Sequence, residues 1–234
     1  MDFGKSFTFM FEDPNWVRKL GIGTLVTLAG IFLSPVLIGL AGVFMLMGYG
    51  LDVVRNVLDG KEHPLPEWED WGGFLIRGLK IFGVYLLWCL PFIIVAIPLG
   101  IGAALTSDNG RGVLEALGIL ITICGSCLAI LYGLFLTLIT PAIYIRLAAT
   151  DRFAAAFEIG RLWALTRDNL DNVIIALILG YIVAGIISVI IAFLGVFAIL
   201  IGLLVSLPFA ILWQYLVQGH LFGQIGAHSV TPAE

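Results

Sequence analysis

A polar loop in the first third of the chain carries the acidic residues that are best placed to bind a metal ion. Its core, LPEWEDW, brings Glu67, Glu69 and Asp70 close in sequence to His63. Divalent cations prefer oxygen ligands, which carboxylates supply. The spacing matches no established metal loop, so we interpret this stretch as an interfacial anchor and docking surface with hydrated acids. The candidate docking residues are Leu65, Pro66, Glu67, Trp68, Glu69, Asp70 and Trp71.

A second candidate for chemistry is the pair Cys124 and Cys127, which form a C-x-x-C. This spacing supports redox chemistry in thioredoxin-like proteins. Here, however, the pair falls inside a long apolar run, where a thiolate is disfavoured. We therefore predict that both cysteines pack beside small neighbours. With Cys89, also in an apolar run, they indicate no disulfide framework.

Basic and imidazole side chains gather near the predicted helix ends. His220 and His228 accompany three glutamines, which favours a terminal interfacial cluster over a ligand site. The arginines and lysines fall on the predicted cytoplasmic side, where they could attract anionic lipid. Ordinary positive-inside topology explains the same distribution, and we favour it. These basic residues are Arg55, Arg77, Lys80, Arg146, Arg152, Arg161 and Arg167.

No Asp, Glu, Lys, Arg or His lies near the middle of any predicted span. Proton relays and ion-coupled transporters usually need such groups, so ion coupling is disfavoured. We predict no catalytic residue, no metal ligand and no cofactor, and we expect that the chain is not an enzyme.

The composition of the chain indicates that these candidate residues lie on, or between, membrane-spanning helices. The 234 residues are 60% hydrophobic and 12% charged, with a mean hydropathy of +1.07. A soluble domain is about 25% charged. The net charge is -4 and the basic residues form no block, so nucleic-acid binding is not expected. The first apolar run is longer than a signal-peptide core and is expected to be a permanent span.

The number of spans depends on residues 20–51, which could form one long helix or a hairpin turning at Ser34 and Pro35. The hairpin gives six spans and places all of the 12 Lys and Arg residues except Arg111 on the side of the N-terminus. The positive-inside rule therefore favours the hairpin. Against it, the turn sequence FLSPVLIG is unusually apolar for a membrane-surface turn.

Within the later spans, prolines and small residues predict bends and close packing. Pro91 and Pro98 each remove a backbone hydrogen bond, so a kinked helix is expected over residues 74–105. Small residues recurring every four positions let a second helix approach closely. The candidate helix-packing residues are Gly125, Ala129, Gly133 and Thr137.

The stretches FEDPNW, GYGLDVVRNVLDG and LPEWEDWGGFLIRGLK resemble the prokaryotic membrane-protein family catalogued as domain of unknown function 4013. The most specific part runs from Gly48 and Tyr49 through Arg55 and Gly60 to the LPEW sequence. The order of hairpins and aromatic segments is also similar to membrane domains attached to some glycerophosphodiester phosphodiesterases, on architecture alone. The resemblance implies a multi-span membrane protein and no activity, cofactor or catalytic residue.

We therefore predict an all-α, polytopic transmembrane helical bundle of six segments arranged as helical hairpins. It forms one integral membrane domain over residues 1–234, with spans near 16–33, 36–58, 74–105, 113–148, 172–193 and 197–219. Interfacial segments are expected at 1–15, 60–73 and 150–171.

The expected location is the cell (cytoplasmic) membrane, with both termini cytoplasmic. The expected partners are the lipid bilayer and either a membrane-protein partner or a homo-oligomer. The leading functional hypothesis is a non-catalytic membrane scaffold or accessory subunit. A permease or lipid-handling protein for a neutral or amphipathic small molecule is the alternative.

Overall fold

Helix accounts for almost all of the computed structural model, which describes residues 1–107, 112–198 and 201–230. No β-strand occurs within these ranges, so the predicted all-α class is confirmed. The α-helices are α1 (Lys5–Thr8), α2 (Trp16–Leu33), α3 (Gly39–Leu58), α4 (Trp71–Trp88), α5 (Leu90–Ser107), α6 (Val113–Thr150), α7 (Ile159–Asp168), α8 (Leu170–Leu177), α9 (Ala184–Leu194) and α10 (Ile201–Val230).

Six helical stretches of the described chain are long and apolar enough to cross a membrane. This number agrees with the six predicted segments. The last helix runs well past the predicted end at residue 219, so His220 lies inside it. The stretches are Trp16–Leu33, Gly39–Leu58, Trp71–Thr106, Val113–Thr150, Leu170–Phe197 and Gly202–Ser229.

The chain turns between α2 and α3, where the sequence left a single helix and a hairpin as alternatives. Ser34–Val36 form a 3-10 turn, and Leu37 adopts a left-handed backbone with φ 63°. The two helices pack side by side beyond the turn. Gly42 permits this contact, because a Cβ there would lie 3.0 Å from the carbonyl oxygen of Val26. The structure therefore contains the hairpin.

The chain divides into two compact units, Met1–Phe82 with Ile139–Glu234, and Gly83–Leu138. In the first unit, α10 packs against α2, α3 and α9. Two glycines bring α3 and α4 of this unit into backbone contact. A Cβ on Gly48 would overlap the carbonyl oxygen of Phe74, and one on Gly78 would overlap that of Phe44.

In the second unit, the predicted kink appears as a break between α4 and α5 at Cys89. The amide of Phe92 bonds to the carbonyl of Cys89 at 3.0 Å instead of reaching Trp88. The Trp88 carbonyl accepts a hydrogen bond from the Tyr132 hydroxyl at 2.6 Å. Pro98, by contrast, lies inside continuous helix. The segment between the predicted spans 74–105 and 113–148 falls largely outside the described residues, and so does Arg111.

The fifth candidate span is irregular. Between α8 and α9, Ile178–Val183 form a π-helical segment, which the apolar pattern of the sequence does not predict. The carbonyl oxygen of Gly180 in this segment accepts hydrogen bonds from Gln218 at 3.1 Å and from Gln214 at 3.4 Å. Both glutamines belong to the predicted terminal cluster. They thus donate hydrogen bonds to a backbone carbonyl that the π segment leaves without a helical partner.

Candidate functional site

The best-defined polar site is centred on Lys19, in the first turns of α2. Its side chain is buried, as is that of Asp13. The Lys19 ammonium nitrogen lies 2.6 Å from Asp13 Oδ2 and 2.9 Å from Glu67 Oε1. It also donates to the carbonyl oxygen of Leu65 at 2.9 Å. Because an ammonium group has three N–H donors, these contacts satisfy it fully.

The start of α2 places this lysine inside the protein. Asn15 is the N-cap residue of α2, and no side-chain cap bond forms. Lys19 points inward, unlike its exposed neighbour Arg18, because Asp13 and Glu67 supply the charge that makes its burial possible.

The aromatic side of the site holds the loop against α2 and α3. Trp68 is buried and stacks on Tyr49 with ring centroids 4.3 Å apart and planes 8° from parallel. Its Nε1 donates to the carbonyl oxygen of Lys19 at 2.9 Å. The Tyr49 hydroxyl donates to the carbonyl oxygen of Pro66 at 3.0 Å. Phe74 meets both rings edge-on, so the loop is fixed by side-chain packing on several helices.

Six charged side chains extend the site across α3, α4 and the end of α6. Arg77 Nη2 lies 2.8 Å from Asp52 Oδ2 and 3.0 Å from Asp70 Oδ2. The amide of Gly73 and then Arg77 hold the pKa of Asp70 below its ordinary value. We call this alternating series the charge ladder; its members are Asp70, Arg77, Asp52, Arg55, Asp151 and Lys80.

The far end of the ladder ties the residue after α6 to α3 and α4. Arg55 lies 3.5 Å from Asp151 Oδ1 through Nη2 and donates from Nε to the carbonyl oxygen of Ala148 at 3.0 Å. Lys80 Nζ lies 3.0 Å from the same carboxylate oxygen of Asp151. Asp151 has a left-handed backbone with φ 52°, which suits its position directly after a helix.

Two further polar contacts fix the segments that flank the helices. Glu158 receives hydrogen bonds from Arg146 and, at 2.9 Å, from Arg161. Partial burial acts to raise the pKa of Glu158, but these arginines outweigh it, so the pKa lies below its ordinary value. At the N-terminus, Ser6 Oγ lies 2.9 Å from Nδ1 of the buried His220. The N-terminal segment is thereby attached to α10.

The predicted docking residues therefore separate into two groups. Leu65 and Trp68 are buried, Pro66 and Glu67 are half-buried, and Glu67 is paired with Lys19 and Arg18. The exposed members are Glu69, Asp70 and Trp71. Asp70 belongs to the charge ladder, whereas Glu69 forms no ion pair among the residues that the structure describes. Of the predicted docking residues, the exposed ones therefore lie together at the Glu69 to Trp71 end.

Of the predicted packing residues, which all lie in the second unit, Gly125 comes closest to another helix. A Cβ on Gly125 would lie 2.8 Å from Leu99, and one on Gly133 would lie 3.7 Å from Phe92. Ala129 is half-buried, while Thr137 is exposed and bonds back to the carbonyl of Gly133 at 2.8 Å.

The three cysteines are free and exposed. The packing role predicted for Cys124 and Cys127 is therefore wrong, because their positions on α6 face outward.

Several important residues were missed in the sequence. Gly48 and Gly78 make the closest contacts between helices in the first unit. Both lie in apolar runs that contain several glycines, and this pattern could have indicated close helix packing. For Lys19 the only available signal was its proximity to Asp13, six residues earlier.

Within the described chain, no group of three or more His, Cys, Asp or Glu is arranged to hold a metal ion. The fold and the site define a multi-pass helical membrane protein whose polar residues are joined in internal contacts. Residues 31–196 match the family described as Protein of unknown function (DUF4013). This match spans more than half of the 234 residues, and the chain belongs to that family. No curated protein sequence and no solved structure matches it.

Proposed function

We propose that this chain is a non-catalytic scaffold or accessory subunit of the cytoplasmic membrane. It binds a membrane-protein partner or a second copy of itself through the exposed end of the docking loop. One observation carries this proposal: the loop is held rigidly by Lys19, Tyr49 and Trp68, while Glu69 and Trp71 remain exposed beside it. A rigid platform with a few exposed aromatic and charged groups suits recognition, because little ordering entropy is lost on binding.

The absence of an enzymatic role is part of the proposal. The ammonium of Lys19 has all of its donors used, and Asp52 is shared between Arg55 and Arg77. A general acid or base must reach a substrate proton, and a nucleophile must be accessible. Closed pairs of this kind favour a structural role for these groups.

The proposed orientation places both termini in the cytoplasm. It rests on the six candidate spans together with the charge distribution, in which all of the 12 Lys and Arg residues except Arg111 fall on the side of the N-terminus. Basic residues near span ends are retained on the cytoplasmic side during insertion.

The alternative, a permease or lipid-handling protein, is less favoured. Its support would come from backbone carbonyls freed by Pro91 or by the π segment and offered to a substrate. In the structure, the Trp88 carbonyl is bonded by Tyr132 and the Gly180 carbonyl by Gln218. Neither group is available to a ligand without first losing a protein partner.

The test combines native mass spectrometry with site-specific crosslinking. The protein is extracted in polymer nanodiscs with a photoreactive amino acid at Glu69 or Trp71, and with the same group at Asp171, another exposed position, as the control. We expect a discrete protein adduct from positions 69 and 71, none from 171, and a stoichiometric complex in the spectrum. A lone monomer without adducts would overturn the proposal. If that monomer also retained a small molecule, the permease hypothesis would replace it.

A further inference from the structure

A long apolar furrow runs along the lipid-facing surface of the first unit, between α2 and α10. It consists of two adjoining cavities of about 400 Å³ and about 520 Å³, which share Leu25, Leu28 and Leu204. Volumes of this size are typical of small-molecule sites. We call this feature the α2–α10 furrow.

One position on the floor of the furrow lacks a side chain. Gly21 contributes no side chain, and a Cβ there would meet nothing within 4 Å. The hydroxyl of Thr24 bonds to the carbonyl of Leu20 at 2.7 Å, so no free hydroxyl remains on the floor. Leu25 is 64% exposed on one wall and Val205 is 60% exposed on the other. The lining is therefore continuous hydrocarbon.

One end of the furrow carries groups suited to a headgroup. Trp16 lines the mouth and is partly exposed, and a tryptophan is typical of the membrane interface. Arg18 lies three residues before Gly21, hence close to it on the helix surface. Its side chain is 61% exposed, and its nearest acidic atom is Glu67 Oε2 at 3.5 Å. Glu67 already pairs with Lys19 at 2.9 Å, so Arg18 keeps donors for a further anion.

The length of the furrow fits an acyl chain. From Trp16 to Phe32, α2 rises about 24 Å, which exceeds the roughly 15 Å of hydrocarbon in one leaflet and so leaves room for one whole acyl chain. A partner helix fits less well, because close helix contacts favour small residues on both surfaces. Here the α10 side of the furrow is lined by Leu204, Val205 and Phe209, none of which is small.

We propose that the α2–α10 furrow binds one anionic glycerophospholipid, with an acyl chain over Gly21 and the phosphate at Arg18 and Trp16. This inference is independent of the scaffold proposal, since the furrow and the Glu69 to Trp71 surface share no residue. The cationic mouth selects an anionic headgroup over a zwitterionic one. One basic residue near an anionic surface contributes about 1 kcal/mol, so the preference is about fivefold.

The test measures retained lipid by native mass spectrometry after exchange into detergent with equal amounts of phosphatidylglycerol and phosphatidylcholine. The wild-type protein is expected to retain one phosphatidylglycerol, with about fivefold preference over phosphatidylcholine. Gly21→Leu fills the floor and is expected to abolish retention. Gly100→Leu is the matched control, because Gly100 is equally open in another span, and it is expected to retain lipid as the wild type does. Arg18→Gln is expected to keep the lipid but lose the preference.

A second blocking variant guards against misfolding of the first. Val205→Trp fills the furrow from the opposite wall at an exposed position and is also expected to abolish retention. Equal retention by wild type and both blocking variants would overturn the proposal, as would equal loss in Gly100→Leu. A photoreactive phosphatidylglycerol is expected to label residues 17–28 or 204–209. A protein crosslink from a photoreactive group at Leu25 would instead show a partner helix in the furrow and would also overturn it.

Discussion

At the scale of single residues, burial of charge in this protein depends on partners both near and far in sequence. Lys19 is held by Asp13 from the same segment and by Glu67 from the loop that follows α3. A buried ammonium is tolerated only when its desolvation is offset by close counter-charges and hydrogen bonds. Lys19 meets that condition with two carboxylates and the carbonyl of Leu65. The loop is therefore attached to α2 by charge as well as by the stacking of Trp68.

Replacement of Lys19 by methionine should destabilise the protein strongly. The substitution leaves Asp13 with its charge buried and uncompensated, for which the expected loss is about 3–5 kcal/mol in the free energy of unfolding. Lys5→Met is the control, because the Lys5 ammonium lies 3.7 Å from Glu12 and both side chains are well exposed. That change should cost less than about 1 kcal/mol. Equilibrium unfolding in mixed detergent micelles compares the two variants, and equal effects would contradict the buried-pair interpretation.

The contact of Glu158 with Arg146 and Arg161 should make stability depend on pH. The pKa of Glu158 is held below its ordinary value of 4.5 in the folded protein. Because this pKa is lowered on folding, the ion pairs stabilise the folded protein at any pH above the ordinary value. This stabilisation is lost as the pH falls through the lowered pKa of the folded protein. Thermal midpoints of wild type and Glu158→Gln should therefore differ at neutral pH and converge between about pH 5 and pH 3. Glu69→Gln, which removes an unpaired exposed carboxylate, should leave the wild-type pH profile unchanged.

At the scale of helices, the closest contacts depend on glycine. Phe44 and Gly48 on α3 face Gly78 and Phe74 on α4, so each glycine lies against the backbone of the phenylalanine opposite. Without a hydrophobic driving force between helices in lipid, this close van der Waals approach is a main source of association. The same region supplies Tyr49, which stacks on Trp68. Helix packing and loop placement are therefore coupled.

Gly48→Ala should disrupt this contact. The added methyl group would overlap the carbonyl oxygen of Phe74, which is backbone and cannot rotate away. Overpacking of this kind costs about 1–3 kcal/mol or more. Gly72→Ala on α4 is the control, since a Cβ there meets nothing within 4 Å and alanine favours helix. Unfolding in mixed micelles should show a loss for the first variant and none for the second; equal stability would exclude the backbone contact.

The helices were predictable from sequence to the extent that local composition decides them. Apolar runs located the six spans. Gly60, which follows α3, has a left-handed φ of 68°, a conformation that glycine adopts readily. The π segment was not predictable, because Gly180 depends on Gln218 from another helix. The outward position of Cys124 was missed for the same reason: helical spacing shows which residues share a face, but not which face meets a neighbour.

At the scale of the whole molecule, polar residues are concentrated toward one side of the predicted topology. The Lys19 site, the charge ladder and the Glu158 contacts all involve residues near those ends of the candidate spans that the predicted topology places on the side of the N-terminus. At the other end of the first hairpin, the turn Ser34–Val36 carries no charged residue. The sequence predicted this asymmetry through the distribution of Lys and Arg. It could not predict that most of these charges are paired internally, because each pairing joins separate elements.

This asymmetry leads to a topology that can be measured from both sides of the membrane. In a background with Cys89, Cys124 and Cys127 replaced by serine, single cysteines are introduced at Ser34 and Glu62. A membrane-impermeant thiol reagent should label Glu62→Cys only from the cytoplasmic side, since residue 62 is exposed in the loop that follows α3. It should label Ser34→Cys only from the opposite side, because α2 and α3 are separate spans joined at Ser34–Val36. Labelling of both from the same side, or protection of Ser34→Cys from both sides, would mean that the first hairpin does not cross the bilayer. Six spans would then no longer explain the distribution of the basic residues along the chain. The proposal that the docking loop lies in the cytoplasm would lose its support.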